Sequence, residues 1–341
     1  MPKHMARLAG REKIADATYA FAIEPTGGAI PYRAGQTVEI TYPRLPHPDE
    51  SGNRRTFSIA GKPDQGRLMV ATRVRGSGFK RSLVEAPLGT EIEVHGPYGD
   101  FTLPDEPSKI VMLAGGIGVT PFRAMVQDAR ERSLDHTLSL IHANRTPEEA
   151  PFLDELIRWG VESANEGMTK LERHRREREA ARVARGAETG GTHSAAGPEI
   201  MTTRPAAGTF SGGSSPGVYS VADDPAKLGP AVAGGAGAGR DPGDARGSGS
   251  AGAGAVVGAG LAPRFRYFPI MTQAERSGRG WSGERRRLSP EVLRETLGAA
   301  DMTAPIFYVA GPPRFVEGAL ESLRGAGVDK GRIRAEEFPG Y

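Results

Sequence analysis

Two short glycine-rich stretches have the residue types and spacing to hold an anion. One is Gly76-Ser77-Gly78-Phe79-Lys80, a glycine turn opening a predicted helix. The other is Gly115-Gly116-Ile117-Gly118-Val119-Thr120-Pro121, which follows the apolar run Ile110 to Ala114. A run that short, stopped by glycines, predicts a buried parallel strand. Gly115, Gly116 and Gly118 make a turn that side chains would obstruct. Thr120 suits an N-cap and Pro121 the first helical position. Backbone N–H groups and the helix dipole would then point at a pyrophosphate. The same pattern also fits an ordinary tight strand-to-helix turn, and it lacks the glycine spacing of the usual dinucleotide fingerprint.

Other chemistries are excluded or unsupported. The chain has no cysteine, so disulfides, thiolate nucleophiles and cysteine-ligated iron–sulfur clusters are out. No histidine pair has metal-ligand spacing, and no Ser–His–Asp arrangement can be argued; His95 and His142 read as strand-end residues. A formal charge of +3 does not argue for nucleic acid. No apolar run is long enough to span a membrane, and MPKHMARLAGREK lacks the apolar core of a signal peptide, so a cytoplasmic protein is expected.

The elements that would position these turns fall into two groups, and 341 residues suit two domains. Residues 1–105 look like an antiparallel β-barrel. Strand candidates are Tyr19 to Ile23, Thr37 to Tyr42, Arg55 to Ile59, Leu68 to Val74 and Glu91 to Val94, with one helix at Phe79 to Val84. Residues 106–341 read as an α/β parallel-sheet domain. Its strands begin near Ile110, Thr137, Phe265 and Ile306, with a last short strand from Ile333 to Phe338. Helices are expected over Pro121 to Arg132, Phe152 to Trp159, Ser289 to Leu297 and Arg314 to Gly325. Ser289 would cap the third of these, with Pro290 at its first position.

A long insertion, residues 160–262, interrupts this second domain. Leu171 to Arg185 is nearly all charged or alanine and would suit a solvated helix. Gly186 to Gly260 is Gly, Ala, Ser and Pro with almost no large apolar residue, so disorder is expected.

Arg55-Thr56-Phe57-Ser58 means little alone, but the order of parts is specific. A barrel with RTFS and a glycine turn, then GGIGVTP, then AGPP, then a C-terminal EEF resembles the ferredoxin–NADP reductase superfamily. The resemblance covers about residues 15 to 159 and 264 to 341. It implies a barrel that binds FAD joined to a domain that binds NADPH or NADH. By that likeness Arg55 pairs with the flavin pyrophosphate and Thr56 belongs to the same flavin motif. Phe57 stands where relatives more often have Tyr, keeping the aromatic face without the hydroxyl. Ser58 would sit near flavin N5. Gly76, Ser77, Phe79 and Lys80 match the second phosphate turn.

Gly115, Gly116, Gly118, Thr120 and Pro121 match the NAD(P) motif, and Asn144 and Arg145 open the loop after the next strand. Arg145 would suit a 2′-phosphate, yet Glu148 and Glu149 nearby would repel one. Gly311, Pro312 and Pro313 match the turn that faces the nicotinamide; Ala310 replaces a Cys common among relatives. Glu336 and Phe338 match the C-terminal acid and the flavin-stacking aromatic. Tyr341 is a rival stacking ring, and Phe338 reads equally as a core residue of the last strand.

The resemblance therefore implies an FAD-dependent NAD(P)H oxidoreductase that passes electrons to a separate acceptor. An acidic redox protein such as ferredoxin or flavodoxin would suit the basic stretch Arg276 to Arg287. Two rivals stay open: a reductase of free flavin or ferric complexes, and a non-catalytic interaction module built around the insertion.

Overall fold

The structure is a computed structural model that describes residues 3–63, 66–166 and 264–338. Two sheets carry it. The first is antiparallel, with strand order β4-β3-β6-β1-β2-β5. Its strands are β1 Lys3–Ala15, β2 Thr18–Pro25, β3 Thr37–Thr41, β4 Arg54–Ser58, β5 Leu68–Arg73 and β6 Glu91–Tyr98. Its outermost strands meet, because Ile59 bridges to Val70 and Ala60 N donates to Met69 O at 2.7 Å. The sheet is thus curled into a barrel around Leu8, Phe21, Ile23, Val38, Ile40, Phe57, Phe79 and Leu83. Helix α1, Gly78–Glu85, covers one end.

The second sheet is fully parallel, in the order β11-β10-β7-β8-β9. Its strands are β7 Lys109–Gly115, β8 Thr137–Asn144, β9 Arg264–Met271, β10 Ile306–Gly311 and β11 Ile333–Glu337. Parallel strands are covered on both faces, and β7 shows why its run is continuously apolar. Ile110, Met112 and Ala114 join one core with Phe122, Met125 and Tyr308, while Val111 and Leu113 join the other with Leu293, Phe307 and Leu323. The helices are α2 Thr120–Glu131, α3 over 153–166, α4 Pro290–Met302 and α5 Pro313–Gly325. Ser289 caps α4 as expected, its hydroxyl accepting from Val292 N at 3.2 Å.

Several contacts join the two halves, three of them through buried or half-buried side chains of the sheets and α2. Arg123 on α2 donates to Ala60 O at 2.7 Å, Tyr308 on β10 donates its hydroxyl to Thr102 O at 2.6 Å, and Arg73 on β5 pairs with Glu149 at 2.5 Å.

The sequence reading needs two corrections here. β1 is a full strand at the centre of the barrel, between β6 and β2, in a segment read only for the lack of a signal peptide. Helix α3 runs through residue 166 with Ser163 buried, so the insertion starts later than residue 160. The helix expected over 171 to 185 and the disorder expected over 186 to 260 lie outside the described residues.

The two ends of the insertion are brought together: Phe265 N donates to Ser163 Oγ at 2.8 Å. A closing loop of about six residues spans up to roughly 20 Å, more than this gap needs. Loop-closure cost also changes slowly with length. Replacing residues 168–262 by six Gly/Ser residues should therefore leave the urea midpoint and slope unchanged. A lower midpoint would show that the insertion packs on the fold.

Candidate functional site

A cavity of about 830 Å³ opens at the carboxyl ends of β7, β8 and β10. Gly115, Gly116, Ile117, Asn144, Arg145, Pro312 and Pro313 line it, so the structure brings these sequence-predicted residues together. Close packing explains the glycines. A Cβ at Gly115 would lie 2.4 Å from the Phe315 ring, and one at Gly118 would lie 2.2 Å from Ala310 O. Gly116 adopts φ +52°, in the left-handed region.

Thr120 is a correction. It is the first residue of α2, not the cap before it, and its hydroxyl donates back to Ile117 O at 3.1 Å. A 3₁₀ turn, Gly116–Val119, comes between strand and helix and takes the capping position. Pro121 sits in the first turn as expected.

The cavity wall is strongly cationic. Arg73, Arg75, Arg145, Arg287 and Arg314 line it against a single carboxylate, Glu149. Both acids near Arg145 are held by partners, Glu149 within the cavity wall and Glu148 outside it. Glu149 pairs with Arg73. Glu148 accepts from Ser277 Oγ at 2.7 Å and Arg279 N at 3.1 Å, bonds led by Ser277 that hold its carboxyl down at about 2.

A second cavity, about 520 Å³, lies at the N-terminus of α1 and is lined by Arg55, Thr56, Phe57, Gly76, Ser77, Gly78 and Lys80. A carboxylate from the β3–β4 loop takes its centre. Asp49 accepts from Ser77 Oγ at 2.7 Å, from Phe79 N at 2.8 Å and from Arg55 Nη2 at 2.5 Å. The Phe79 N–H bond leads the causes that hold the Asp49 carboxyl far below the usual range. Lys80 is buried, and that burial, with the charge of Arg55, holds its ammonium down at about 8. Arg55 Nη1 also donates to Ser51 O and Gly52 O. Phe57 carries its ring into the barrel core against Phe79, 6.1 Å between centroids, leaving 2% of it exposed to face the cavity.

Three of the sequence-predicted residues, Ser58, Asn144 and Glu336, carry a buried polar atom without a hydrogen-bond partner. Ser58 is buried with no hydrogen-bond partner for its hydroxyl. It pairs with Thr37, which in turn pairs with Tyr98, two residues before Asp100. Asp100 is close enough to act on Glu336, whose Oε2 is also buried without a partner. Burial first, and the Asp100 charge second, push the Glu336 carboxyl up to about 7. Phe338 N donates to Gly311 O at 2.9 Å, and its half-buried ring packs against the core containing Phe101 and Tyr308. Tyr341 lies outside the described residues.

Sequence reasoning missed Asp49, Arg123 and the role of His142. Arg123 makes a two-point ion pair with Glu155, at 2.6 and 2.8 Å, as well as its bond to the barrel. His142 lies inside β8, fully buried, and bonds Gly116 O. His95 is likewise inside β6, not at its end. The basic stretch from Arg276 to Arg287 is partly neutralised, at Arg279 and Arg286. Arg286 pairs with Glu284 and Glu295, Arg279 with Asp154, and Arg276 bonds Gln273. Among the described residues no helix is long and apolar enough to cross a membrane.

The family description "Oxidoreductase NAD-binding domain" matches residues 112–187, which begin in β7. Phthalate dioxygenase reductase of Burkholderia cepacia is 30% identical over 156 residues, 44% of this chain and 46% of that protein. A ferredoxin NADP+ reductase from Neisseria gonorrhoeae, solved with bound FAD and NADP, aligns over 99% of both chains with a TM-score of 0.55 and 16% identity. The likeness to that structure is one of fold. The chain spans less than half the length of the curated relative. The flavohem-like FAD/NAD binding domain of nitric oxide dioxygenase from Vibrio cholerae shares the fold over 98% of both chains, with a TM-score of 0.56 and 14% identity.

The Glu336 acid gives a signed prediction. Its folded-state value of about 7 lies above the ordinary 4.5, so the folded state holds a proton that the unfolded chain releases. Its contribution is complete below pH 4.5 and is lost as pH rises through 7. The Tm difference between wild type and Glu336→Gln should therefore shift in favour of the variant between pH 4.5 and 7.5. A pH-independent difference would show that the carboxyl is not held protonated.

Proposed function

We propose that this chain is a flavin-dependent NAD(P)H oxidoreductase, with residues 1–105 as its FAD-binding half and 106–341 as its NAD(P)-binding half. The observations that carry this are two cavities, one at the start of α1 and one at the glycine turn before α2, together with an orphaned hydroxyl on β4. The donors fit a flavin phosphate: Ser77 Oγ, Phe79 N and Arg55 already converge on a carboxylate. A flavin bound there would take hydride from a reduced nicotinamide and release electrons singly or in pairs. Ser58 would offer its unpaired hydroxyl to the reacting edge of the ring. Glu336 would hold a proton at Oε2 on the nicotinamide side. Gly311, Pro312 and Pro313 would leave the nicotinamide a flat approach.

The cationic wall favours NADPH over NADH. With Glu148 and Glu149 engaged, Arg145 faces the cavity beside Arg75 and Arg314. The relatives are named as reductases of dioxygenases, so the electrons pass to a separate acceptor. The absence of cysteine fits a cytoplasmic location. A second reading, a reductase that exchanges its flavin, has Asp49 in its favour, because a carboxylate on the phosphate seat competes with phosphate.

The purified protein should bind FAD and bleach when NADPH is added without oxygen, and NADH should be the poorer donor. Arg145→Ala should lower kcat/KM for NADPH about tenfold and leave NADH unaffected, as loss of a charge-assisted phosphate contact requires. An equal loss with both donors would remove the 2′-phosphate role. Asp49→Asn should tighten FAD binding about tenfold by withdrawing the competing charge. Weaker binding would make Asp49 a support for the seat, not a rival for it.

A further inference from the structure

We propose that His142 is a positioning residue for the nicotinamide dinucleotide: it fixes the Gly116–Ile117 peptide so that the Ile117 N–H faces the cavity. This rests on reading that cavity as the NAD(P)H site. His142 pairs with Ala114 across β7 and β8 and is fully buried. It is not among the residues that line the cavity, whereas its successors Ala143 and Asn144 are. Its part in the site is therefore indirect.

The hydrogen bonds fix its tautomer. Nε2 lies 2.8 Å from Gly116 O, and Nδ1 lies 2.9 Å from the Tyr267 hydroxyl. A carbonyl can only accept, so Nε2 carries the proton. In a neutral ring Nδ1 must then accept, and Tyr267 donates. Burial keeps the ring neutral, lowering its pKa to about 4.

The peptide geometry turns this clamp into an effect on the ligand. In a trans peptide the carbonyl of one residue and the N–H of the next point in opposite directions. Gly116 O points at His142, on the sheet side, so the Ile117 N–H points away from it. Both residues line the cavity. Gly116 at φ +52° has no Cβ to hold its conformation by packing, and nothing lies within 4 Å of where one would be. Without the clamp only the i→i+3 bonding of the 3₁₀ turn holds this peptide against turning over. Turning over would present a carbonyl oxygen, not an N–H, to the dinucleotide phosphates. Tyr267 lies one strand further away, on β9, and acts only by selecting the tautomer.

The test uses the full chain with saturating FAD, ferricyanide as acceptor, and binding of 2′,5′-ADP by calorimetry. His142→Leu removes the donor. His142→Gln keeps an amide N–H for Gly116 and a carbonyl for Tyr267. Tyr267→Phe removes the tautomer selection while leaving the ring in place. His142→Leu should raise KM for NADPH about tenfold, with kcat and flavin content within about twofold of wild type. His142→Gln should restore most of the affinity, and Tyr267→Phe should fall between. KM unchanged in folded His142→Leu overturns the proposal, as does a Gln variant no better than Leu. If His142→Leu does not fold, Tyr267→Phe and His142→Gln decide the matter by the same KM criterion. Wild-type protein that binds neither NADPH nor 2′,5′-ADP overturns the dinucleotide reading and this proposal with it.

Discussion

The contact on which the site depends is between Gly118 and the end of β10. A Cβ at residue 118 would lie 2.2 Å from Ala310 O and 2.6 Å from Gly311 Cα. No side chain fits, so the turn after β7 lies directly on the turn after β10. Two consequences follow. The residues from both turns open into one cavity at the carboxyl ends of adjacent parallel strands, where such sheets bind ligands. The 3₁₀ turn before α2 brings Gly116 and Ile117 to the same space that Pro312 and Pro313 border. Gly115 sets the same limit on the other side, where the Phe315 ring leaves no room for a methyl group. A larger residue at either position would part β7 from β10 or push α5 off the sheet.

Charge is arranged differently around the two cavities. At α1 the cations Arg55 and Lys80 are matched by the carboxylates Asp49 and Glu50. At α2 five arginines face one glutamate, and that glutamate is drawn to Arg73 on the barrel. The Arg73–Glu149 pair is buried enough to resist screening, with 16% and 22% of its side chains exposed. It does two things at once: it ties β5 to the loop after β8, and it offsets the negative charge of Glu149 within the cavity wall. The chain thus resolves the conflict between Arg145 and its acidic neighbours by geometry, which no spacing rule could show.

How much of this the sequence displays depends on whether a residue acts through local pattern or through a distant partner. The parallel strands were legible because burial on both faces leaves an uninterrupted apolar run, as in Ile110 to Ala114. The cap of α4 was legible because Ser-Pro-Glu is a local signal. β1 was not legible. Only Ala6 and Leu8 of its side chains are buried, a single repeat of the two-residue period and too short to mark a strand of thirteen residues. Thr120 was misplaced because its hydroxyl finds Ile117 O three residues back and the helix starts one residue early. Asp49, Glu149 and His142 act on partners 28, 76 and 26 residues away, so their roles exist only once the sheets are formed.

What holds the two halves in register is a buried charge beside small side chains. Ile117, in the nucleotide turn, packs with Ala20, Ala60 and Ala71 of the barrel, and Ala60 is two residues beyond Ser58. Small residues let the turn approach the strand that carries the unpaired hydroxyl. Arg123 fixes that approach: it spends one N–H on Ala60 O and two on Glu155, and its guanidinium lies 4.6 Å from the Phe152 ring centre. A buried guanidinium is costly unless its donors are met, so every displacement of α2 from the barrel strands a charge. Hydride transfer falls off steeply when reacting atoms are misplaced by about 1 Å. An interface built from alanines alone would slide over that distance at little cost. The buried arginine makes the spacing between the two anion seats a fixed property of the fold.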